Sequence, residues 1–525
     1  MSEAQSVLLA IAVGIATVLL AALGRKLPIP TAILQVLGGL CVGLIPGAAA
    51  LRVSPDLVFF VFLPPVLWAA AFFTSFRDFK ANLRPIGLLA IGLVIATTGA
   101  VAVVARQLIP GLPWAAAVAL GAIVSPPDAV AAEAILKRLP IPRRVTAILL
   151  GESLVNDASA LILYRGAVAA LVTGIFSPGE LVVRFFVDAL VGILLGLLVG
   201  WLLVWATRRT QDTLAEIVLT LVGPYLAWTM AEYLHVSAVL ACVAGGIYVR
   251  QHFSTIVSPA TRVQARAVWD LLLFGLNSLV FLLLGAEFGN LLEAVPGETL
   301  RSVGTTGLLL SLLVIVVRLV WVPLATVVPR WLNPSLRARD PIPPFSAILV
   351  VSWTSMRGMV SLASALGLPL LTAAGAPVPF RAEIVLITVV VILVTLVLQG
   401  MTLLPLFSRL KLPVDHGHAR EEAHARAEAR RAALDHLADL AQEEWVTREE
   451  LSRLENEIRT TAHGEGEMAE RTRMARRIRL GAVTAKRRAL VRLRDEGAIS
   501  DEVLLDLESE LDYEALRLGA GSERR

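Results

Sequence analysis

Between Ser6 and about Phe407 the chain returns repeatedly to runs of roughly 20 apolar residues, each long enough to cross about 30 Å of hydrocarbon as a helix. A bilayer interior offers no water to backbone N–H and C=O groups. Only a helix, which closes its bonds internally, or a closed barrel persists there. The runs lack the alternation of barrel strands, which leaves an all-α polytopic membrane protein. Composition agrees: 56% of the 525 residues are hydrophobic and only 17% are charged, with a mean hydropathy of +0.73, far from the balance of a soluble domain.

About thirteen spans are expected, at roughly 6–24, 29–47, 53–73, 85–105, 112–133, 143–173, 180–207, 214–233, 236–252, 268–292, 303–328, 345–371 and 383–407. Every second loop is basic: Arg25 and Lys26; Arg77, Lys80 and Arg84; Lys137, Arg138, Arg143 and Arg144; Arg208 and Arg209; Arg250, Arg262 and Arg266; Arg330, Arg337 and Arg339. The intervening loops hold little beyond Arg52, Arg106, Arg184, Arg301 and Arg381. Loops rich in Lys and Arg stay in the cytoplasm, which predicts an N-terminus outside and a C-terminus inside. The segment Met1–Gln5 is acidic and carries no Lys or Arg, so the first run reads as a retained span rather than a cleaved signal. Cys41 and Cys242 fall in distant spans and give no disulfide or metal-ligand spacing.

Span six carries Gly151-Glu152-Ser153-Leu154-Val155-Asn156-Asp157, two carboxylates and an amide in a segment that must cross the membrane. Ionisable groups at that depth are costly and mark ion or proton pathways. Ser153 and Asp157 lie four residues apart and share one helix face, as do Glu152 and Asn156, so the two carboxylates point in different directions and take different partners. A charged Asp157 without a basic partner in a low-dielectric cavity needs a proton or a cation for company.

A faint repeat runs through the chain. Thr31-Ala32-Ile33-Leu34 followed by Gly38-Gly39 in span two resembles Ser237-Ala238-Val239-Leu240 followed by Gly245-Gly246 in span nine. Seven spans separate the copies, an odd number, so they run in opposite orientations, as in the inverted repeats of transporters. Spans one to six and eight to thirteen become the two halves. Matching positions in them are interrupted: Ser125-Pro126-Pro127-Asp128 in span five and Ser352-Trp353-Thr354-Ser355-Met356-Arg357-Gly358 in span twelve. Tandem prolines free carbonyls that can face a cation, while Asp128 can offset exposed helix N-termini or accept their N–H groups.

Taken together, the span-six block, Ser125-Pro126-Pro127-Asp128, Leu63-Pro64-Pro65, Leu276-Asn277-Ser278-Leu279-Val280-Phe281-Leu282-Leu283-Leu284-Gly285 and Met356-Arg357-Gly358 resemble the sodium/proton exchangers of the cation:proton antiporter-1 family in its bacterial form. The resemblance implies a homodimer of inverted-repeat protomers in the bacterial plasma membrane. It implies a core domain at about 85–173 and 303–407 that moves like an elevator against a dimerisation domain at about 1–84 and 180–292. It places the Na+- and proton-binding carboxylate on Asp157, with Asn156, Asp128 and Ser153 beside it, a structural ion pair between Glu152 and Arg318, and a helix-crossing charge on Arg357. One titrating carboxylate, with Asn156 where a second aspartate would stand, implies electroneutral one-for-one exchange of Na+, with Li+ as a further cargo, in the service of pH homeostasis. No cofactor is implied beyond the transported Na+ and H+. The alternatives are K+/H+ exchange on the same scaffold and a tail-gated cation channel, which would need a continuous polar pore lining.

Two positions depart from the family pattern. Many relatives carry a glutamate shortly after Leu-Pro-Pro, where this chain has Trp68-Ala69-Ala70, and Thr-Asp-Pro where it has Pro127-Asp128-Ala129. Ser125, Ser153 or backbone carbonyls are the candidates to replace the missing carboxylate and hydroxyl. Structural readings stand beside the functional ones: Asp128 as a helix-end partner, and Arg357 as a neutraliser of crossed helix ends or a snorkelling side chain. Asp188, Arg165 and Glu287 read as packing or interface groups without an ion, and Trp114, Trp201, Trp205, Trp331 and Trp353 as interfacial or packing residues.

After about Ser408 the composition turns to Arg, Glu, Ala and Leu, a cytoplasmic helical tail over residues 408–525. Thr447-Arg448-Glu449-Glu450 reads as a capping box opening a helix with Leu451, Leu454 and Ile458 on one face; Ser500-Asp501-Glu502 suggests another start, and Gly464 and Gly466 a break. Five of seven histidines lie here, His416, His418, His424, His436 and His463, either a pH sensor or solvated residues on a charged helix. The chain carries no phosphate loop, nucleic-acid motif or nucleophile constellation, so neither an enzyme nor a nucleic-acid binder is expected.

Overall fold

Apolar runs that must close every backbone bond internally become long helices, and the computed structural model of the protein contains little else. It describes residues 3–27, 30–44, 58–128, 141–174, 178–210, 212–294, 297–410, 417–441 and 447–460, with Lys486, Leu490, Arg492, Glu496 and Tyr513. In chain order the helices are α1 (Glu3–Lys26), α2 (Thr31–Gly43), α3 (Leu63–Phe73), α4 (Phe76–Ala81), α5 (Leu83–Gly87), α6 (Val94–Leu108), α7 (Trp114–Val124), α8 (Arg143–Thr173), α9 (Pro178–Thr207), α10 (Thr213–Tyr233), α11 (Ala238–Ile256), α12 (Pro259–Ala294), α13 (Gly297–Leu332), α14 (Pro334–Arg339), α15 (Phe345–Trp353), α16 (Met359–Leu366), α17 (Arg381–Arg409), α18 (Gly417–Leu440) and α19 (Arg448–Thr460). Among the described residues there is no strand, only an isolated antiparallel bridge between Leu371 and Pro377.

Among the described residues, seven helical stretches are long and apolar enough to cross a membrane: 83–108, α8, 182–207, α10, 261–289, 300–332 and α17. Shorter apolar helices cover Gly14–Gly24, α2, Phe59–Phe73 and α7. The expected boundaries shift where tertiary packing overrides the hydropathy window. Helices α12 and α13 each run for 36 residues, about 54 Å at ~1.5 Å per residue, so both extend well past the hydrocarbon. Expected span five is helical only to Val124, where the prolines begin, and residues 129–133 lie outside the described residues. Expected span twelve divides into α15 and α16, with Thr354–Gly358 non-helical between them. A π-helical turn at Leu88–Leu93 joins α5 to α6, and the Leu88 carbonyl accepts from the Trp321 indole at 3.0 Å.

The repeat is visible in the packing. Helix α2 lies along α12, and its counterpart α11 lies along α3; α1 sits on α2 as α10 sits on α11. The glycines of the sequence echo make these approaches close. A Cβ on Gly39 would collide with the Leu282 carbonyl of α12, and one on Gly246 would come within 2.8 Å of the Trp68 carbonyl of α3. Small residues allow such backbone-to-backbone contact in a membrane, where dispersion rather than hydrophobicity drives helix association.

Residues 1–415 and 416–525 are separate compact units. In the second, α18 and α19 pack on each other and Thr447 precedes the first turn of α19. Leu451 and Ile458 are half-buried, whereas Leu454 is exposed. On α18, His424 and His436 are exposed. His416, His463, Gly464, Gly466 and the start at Ser500-Asp501-Glu502 lie outside the described residues.

Candidate functional site

Two interrupted segments meet inside the first unit. Helix α7 ends at Val124, and Ser125 to Asp128 continue without helical bonding because Pro126 and Pro127 have no N–H to give. Opposite, Thr354 to Gly358 separate α15 from α16. The two are joined by main-chain and side-chain bonds: the Asp128 N–H donates to the Met356 carbonyl at 2.6 Å, and the Met359 N–H, first in α16, donates to Asp128 Oδ2 at 3.2 Å. A Cβ on Gly358 would overlap the Asp128 carboxylate, so any side chain there would push that carboxylate out of its place.

The charges match the helix ends they touch. Asp128 lies at the N-terminus of α16, where free N–H groups carry partial positive charge, and Arg357 donates from Nε to the Val124 carbonyl at the C-terminus of α7 at 3.0 Å. Arg357 is fully buried; its Nη1 also reaches the Ser355 carbonyl and the Ser355 hydroxyl, and its N–H donates to Thr395 Oγ1 of α17 at 3.2 Å. Its Nε thus satisfies an orphan carbonyl at the end of α7, and its Nη1 is taken up by the non-helical Ser355.

Asp128, Ser153 and Asp157 line one cavity of about 40 Å³, enough for a water-sized body. The remaining walls are apolar: Leu63, Val66, Leu67 and Ala70 from α3, Leu150 and Leu154 from α8, Met359 and Val360 from α16. Asp157 is 7% exposed, and among the described residues no Lys or Arg pairs with it. Asn156, on the neighbouring face of α8, donates to the Pro127 carbonyl at 3.0 Å, while its Oδ1 is buried without a hydrogen-bond partner.

Glu152, Arg318 and Arg357 do not line this cavity. Glu152 is gripped by Arg318 of α13 through Nη1 to Oε1 and through Nη2 to Oε2 at 2.8 Å, and Arg318 also donates to the Val351 carbonyl of α15 from Nε at 3.1 Å and Nη2 at 3.0 Å. Ala69 faces a different cavity, whereas its neighbour Ala70 lines the Asp157 cavity. Arg165 pairs with Glu232 of α10 at 2.5 Å.

Sequence reasoning missed Thr395 and the anchor Asp340. Thr388, Thr395 and Gln399 are fully buried and fall on one face of α17, seven and four residues apart, a polar stripe in an apolar run that is readable in hindsight. Asp340, in the loop before α15, accepts from Arg84 at 2.7 Å, Arg144 at 2.7 Å and Arg330 at 2.8 Å, gathering α5, α8 and α13 at one end. No local pattern announces a carboxylate shared by three arginines from distant segments.

Comparison with known proteins gives the same architecture. The transmembrane sodium/hydrogen exchanger family matches residues 13–409. An uncharacterised Na+/H+ exchanger of Mycobacterium tuberculosis is 36% identical over 514 residues, covering 94% of this chain and 93% of its own. A sodium, potassium, lithium and rubidium/H+ antiporter of Bacillus pumilus is 31% identical over 497 residues, covering 91% of this chain and 73% of its own. The sodium proton antiporter MjNhaP1 of Methanocaldococcus jannaschii shares the fold at a TM-score of 0.60 and 19% identity, covering 77% of this chain and 99% of its own. With the family match extending over residues 13–409, the chain belongs to the transmembrane sodium/hydrogen exchanger family, a family of transporters.

Proposed function

We propose that the protein exchanges Na+, with Li+ as a further cargo, for H+ one for one, the cation and the proton competing for Asp157. The observation that carries this reading is a buried carboxylate, with no basic partner among the described residues, in a cavity large enough for one small cation. A charged site facing the apolar wall of α3 is costly to move, so each crossing is made with a proton or a cation bound. Asp128, Ser153, Asn156 and freed carbonyls complete the coordination. With one titrating carboxylate, a Na+ replaces a proton and net charge is unchanged, so concentration gradients alone drive the cycle.

An elevator movement is supported by how unevenly α8 is held. Toward α13 and α15 it is fixed by Glu152–Arg318, and toward α5 and α13 by the arginines on Asp340. Toward the scaffold its ion pairs are partly exposed, Arg165–Glu232 with α10 and Arg143–Asp78 with α4. Residues 85–173 and 303–407 would move as a core, while 1–84 and 180–292 would form the scaffold of a homodimer in the plasma membrane, with N-terminus outside and the tail from 408 cytoplasmic. The tail would regulate transport.

K+/H+ exchange is the second reading, favoured by the absence of a carboxylate at Ala69 and Ala70 and by the broad cation range in the name of the Bacillus pumilus relative. Both are tested in liposomes loaded with a pH dye at zero membrane potential, with Na+, K+ or Li+ added outside. Na+-dependent proton efflux abolished by Asp157→Asn supports the proposal. Larger efflux with K+ transfers it to the second reading, and equal exchange by wild type and variant overturns the role of Asp157.

A further inference from the structure

Arg165 stands on α8 two turns beyond Asp157, so a movement that carries the ion site carries this guanidinium with it. Beside it lies a void of about 20 Å³, room for one water, which reaches back along α8 to Ala158, the residue after Asp157. Its other wall comes from Asp188 of α9, Trp228 and Glu232 of α10, and Ser237 just before α11. Arg165 Nη2 donates to Glu232 Oε1 at 2.5 Å. Asp188 lines the same void, yet among the described residues its carboxylate makes no ion pair or hydrogen bond. Arg184, one turn earlier on α9, is exposed and does not pair with it. Trp228 is 2% exposed, and its indole N–H is buried without a hydrogen-bond partner.

The two carboxylates are fixed relative to one another. The Ser237 N–H donates to the Asp188 carbonyl at 3.2 Å, a Cβ on Gly192 would lie 2.6 Å from the Ser237 carbonyl, and α10 packs along α11. Arg165 therefore faces a firm wall that offers two anionic acceptors to one guanidinium. Static pairing needs only one of them, and it leaves both Asp188 and the Trp228 indole unspent at the same void. A moving α8 uses both. An ion pair that holds α8 in one position has to be released when α8 shifts, and a partly exposed pair exchanges at small cost, unlike the buried Glu152–Arg318 pair. We propose that Arg165 is a positioning residue of the exchange cycle, held on Glu232 in this structure and transferred to Asp188 when α8 carries its ion toward the opposite face of the membrane. The proposal rests on the elevator reading above. Glu232 then stabilises one facing of the carrier and Asp188 the other.

The test measures Na+-driven proton flux by the full chain in vesicles of one orientation, with Na+ on one face. Removing either carboxylate tilts the balance between facings, and the apparent Km follows the fraction of carriers that face the cation. Glu232→Gln and Asp188→Asn are expected to move the apparent Km in opposite directions, each by about two- to five-fold. The double variant is expected to return to within about two-fold of wild type. In an Arg165→Gln chain neither substitution is expected to move it. A residue that only packs would lower Tm or kcat without this change of sign. Shifts of the same sign, no shift with Asp188→Asn, or opposite shifts that persist in the Arg165→Gln chain overturn the proposal. The elevator reading has its own arm: in a Cys41→Ser chain, Arg165→Cys/Glu232→Cys is joined by a short bismaleimide, which is expected to stop exchange. Exchange that continues in the bridged chain overturns the elevator and the transfer of partners with it. Exchange stopped by the bridge, without the opposite shifts, overturns the transfer alone.

Discussion

Arg318 and Glu152, 166 positions apart, meet through two parallel N–H···O contacts in an interior where their side chains are 1% and 2% exposed. With Val351 taking two further guanidinium bonds, four of the five N–H donors of Arg318 are used, and such satisfaction is the condition under which a buried pair holds its place. Removing one partner strands a charge. Arg318→Ala is therefore expected to destabilise the protein by about 3–5 kcal/mol, seen as a large fall in detergent Tm, whereas the double variant Glu152→Leu/Arg318→Met recovers part of it. A double variant no more stable than Arg318→Ala would contradict this account.

Asp128 is bonded to the N–H of Met359. An asparagine there keeps an oxygen to accept that bond but removes the charge, so Asp128→Asn should cost about 1 kcal/mol in stability. If Asp128 also helps hold the cation, the apparent Km for Na+ rises along with that small fall in Tm. A fall in Tm with an unchanged Km would assign it to the helix end alone.

Gly358 leaves no room for a side chain beside the Asp128 carboxylate. Gly358→Ala forces the crossing apart, with an expected cost of about 1–3 kcal/mol and strongly reduced exchange. Normal exchange and Tm would show that the crossing yields more easily than its packing suggests.

Asp340 supplies a pH signature outside the membrane spans. Its partial burial raises its pKa, but the hydrogen bond and charge of Arg144, with the charges of Arg330 and Arg84, outweigh that and hold the carboxyl below the usual range. A depressed folded-state pKa means that the stabilisation is complete above the unfolded value of about 3.9 and is lost as pH falls through the folded value. The Tm gap between wild type and Asp340→Asn is thus expected to be constant from neutral pH down to about 5 and to close on further acidification. A gap that widens in acid would reverse the sign.

Much of the site was legible because a bilayer penalises what a soluble core tolerates. Glu152, Asn156, Asp157, the tandem prolines and Arg357 stand out against apolar runs, and the glycine pairs of the echo fall at the close approaches of α2 to α12 and α11 to α3. Less visible were partners that look ordinary in their own segments. Thr395, Ser355 and the Val351 carbonyl acquire meaning only once Arg357 and Arg318 point at them.

What the sequence determined by itself was the class, the run of helices, their interruption at Pro126-Pro127 and Thr354–Gly358, and the residues too polar for their surroundings, because each follows from local transfer energies and backbone bonding. Tertiary structure decided which polar groups share a cavity: Asp128, Ser153 and Asp157 together, Glu152 with Arg318, Arg357 on the end of α7, Ala69 in one cavity and Ala70 in the other. It also gathered three distant arginines onto Asp340. Helix faces and crossings set these neighbours, and they depend on how every helix packs against the rest, which no single segment encodes.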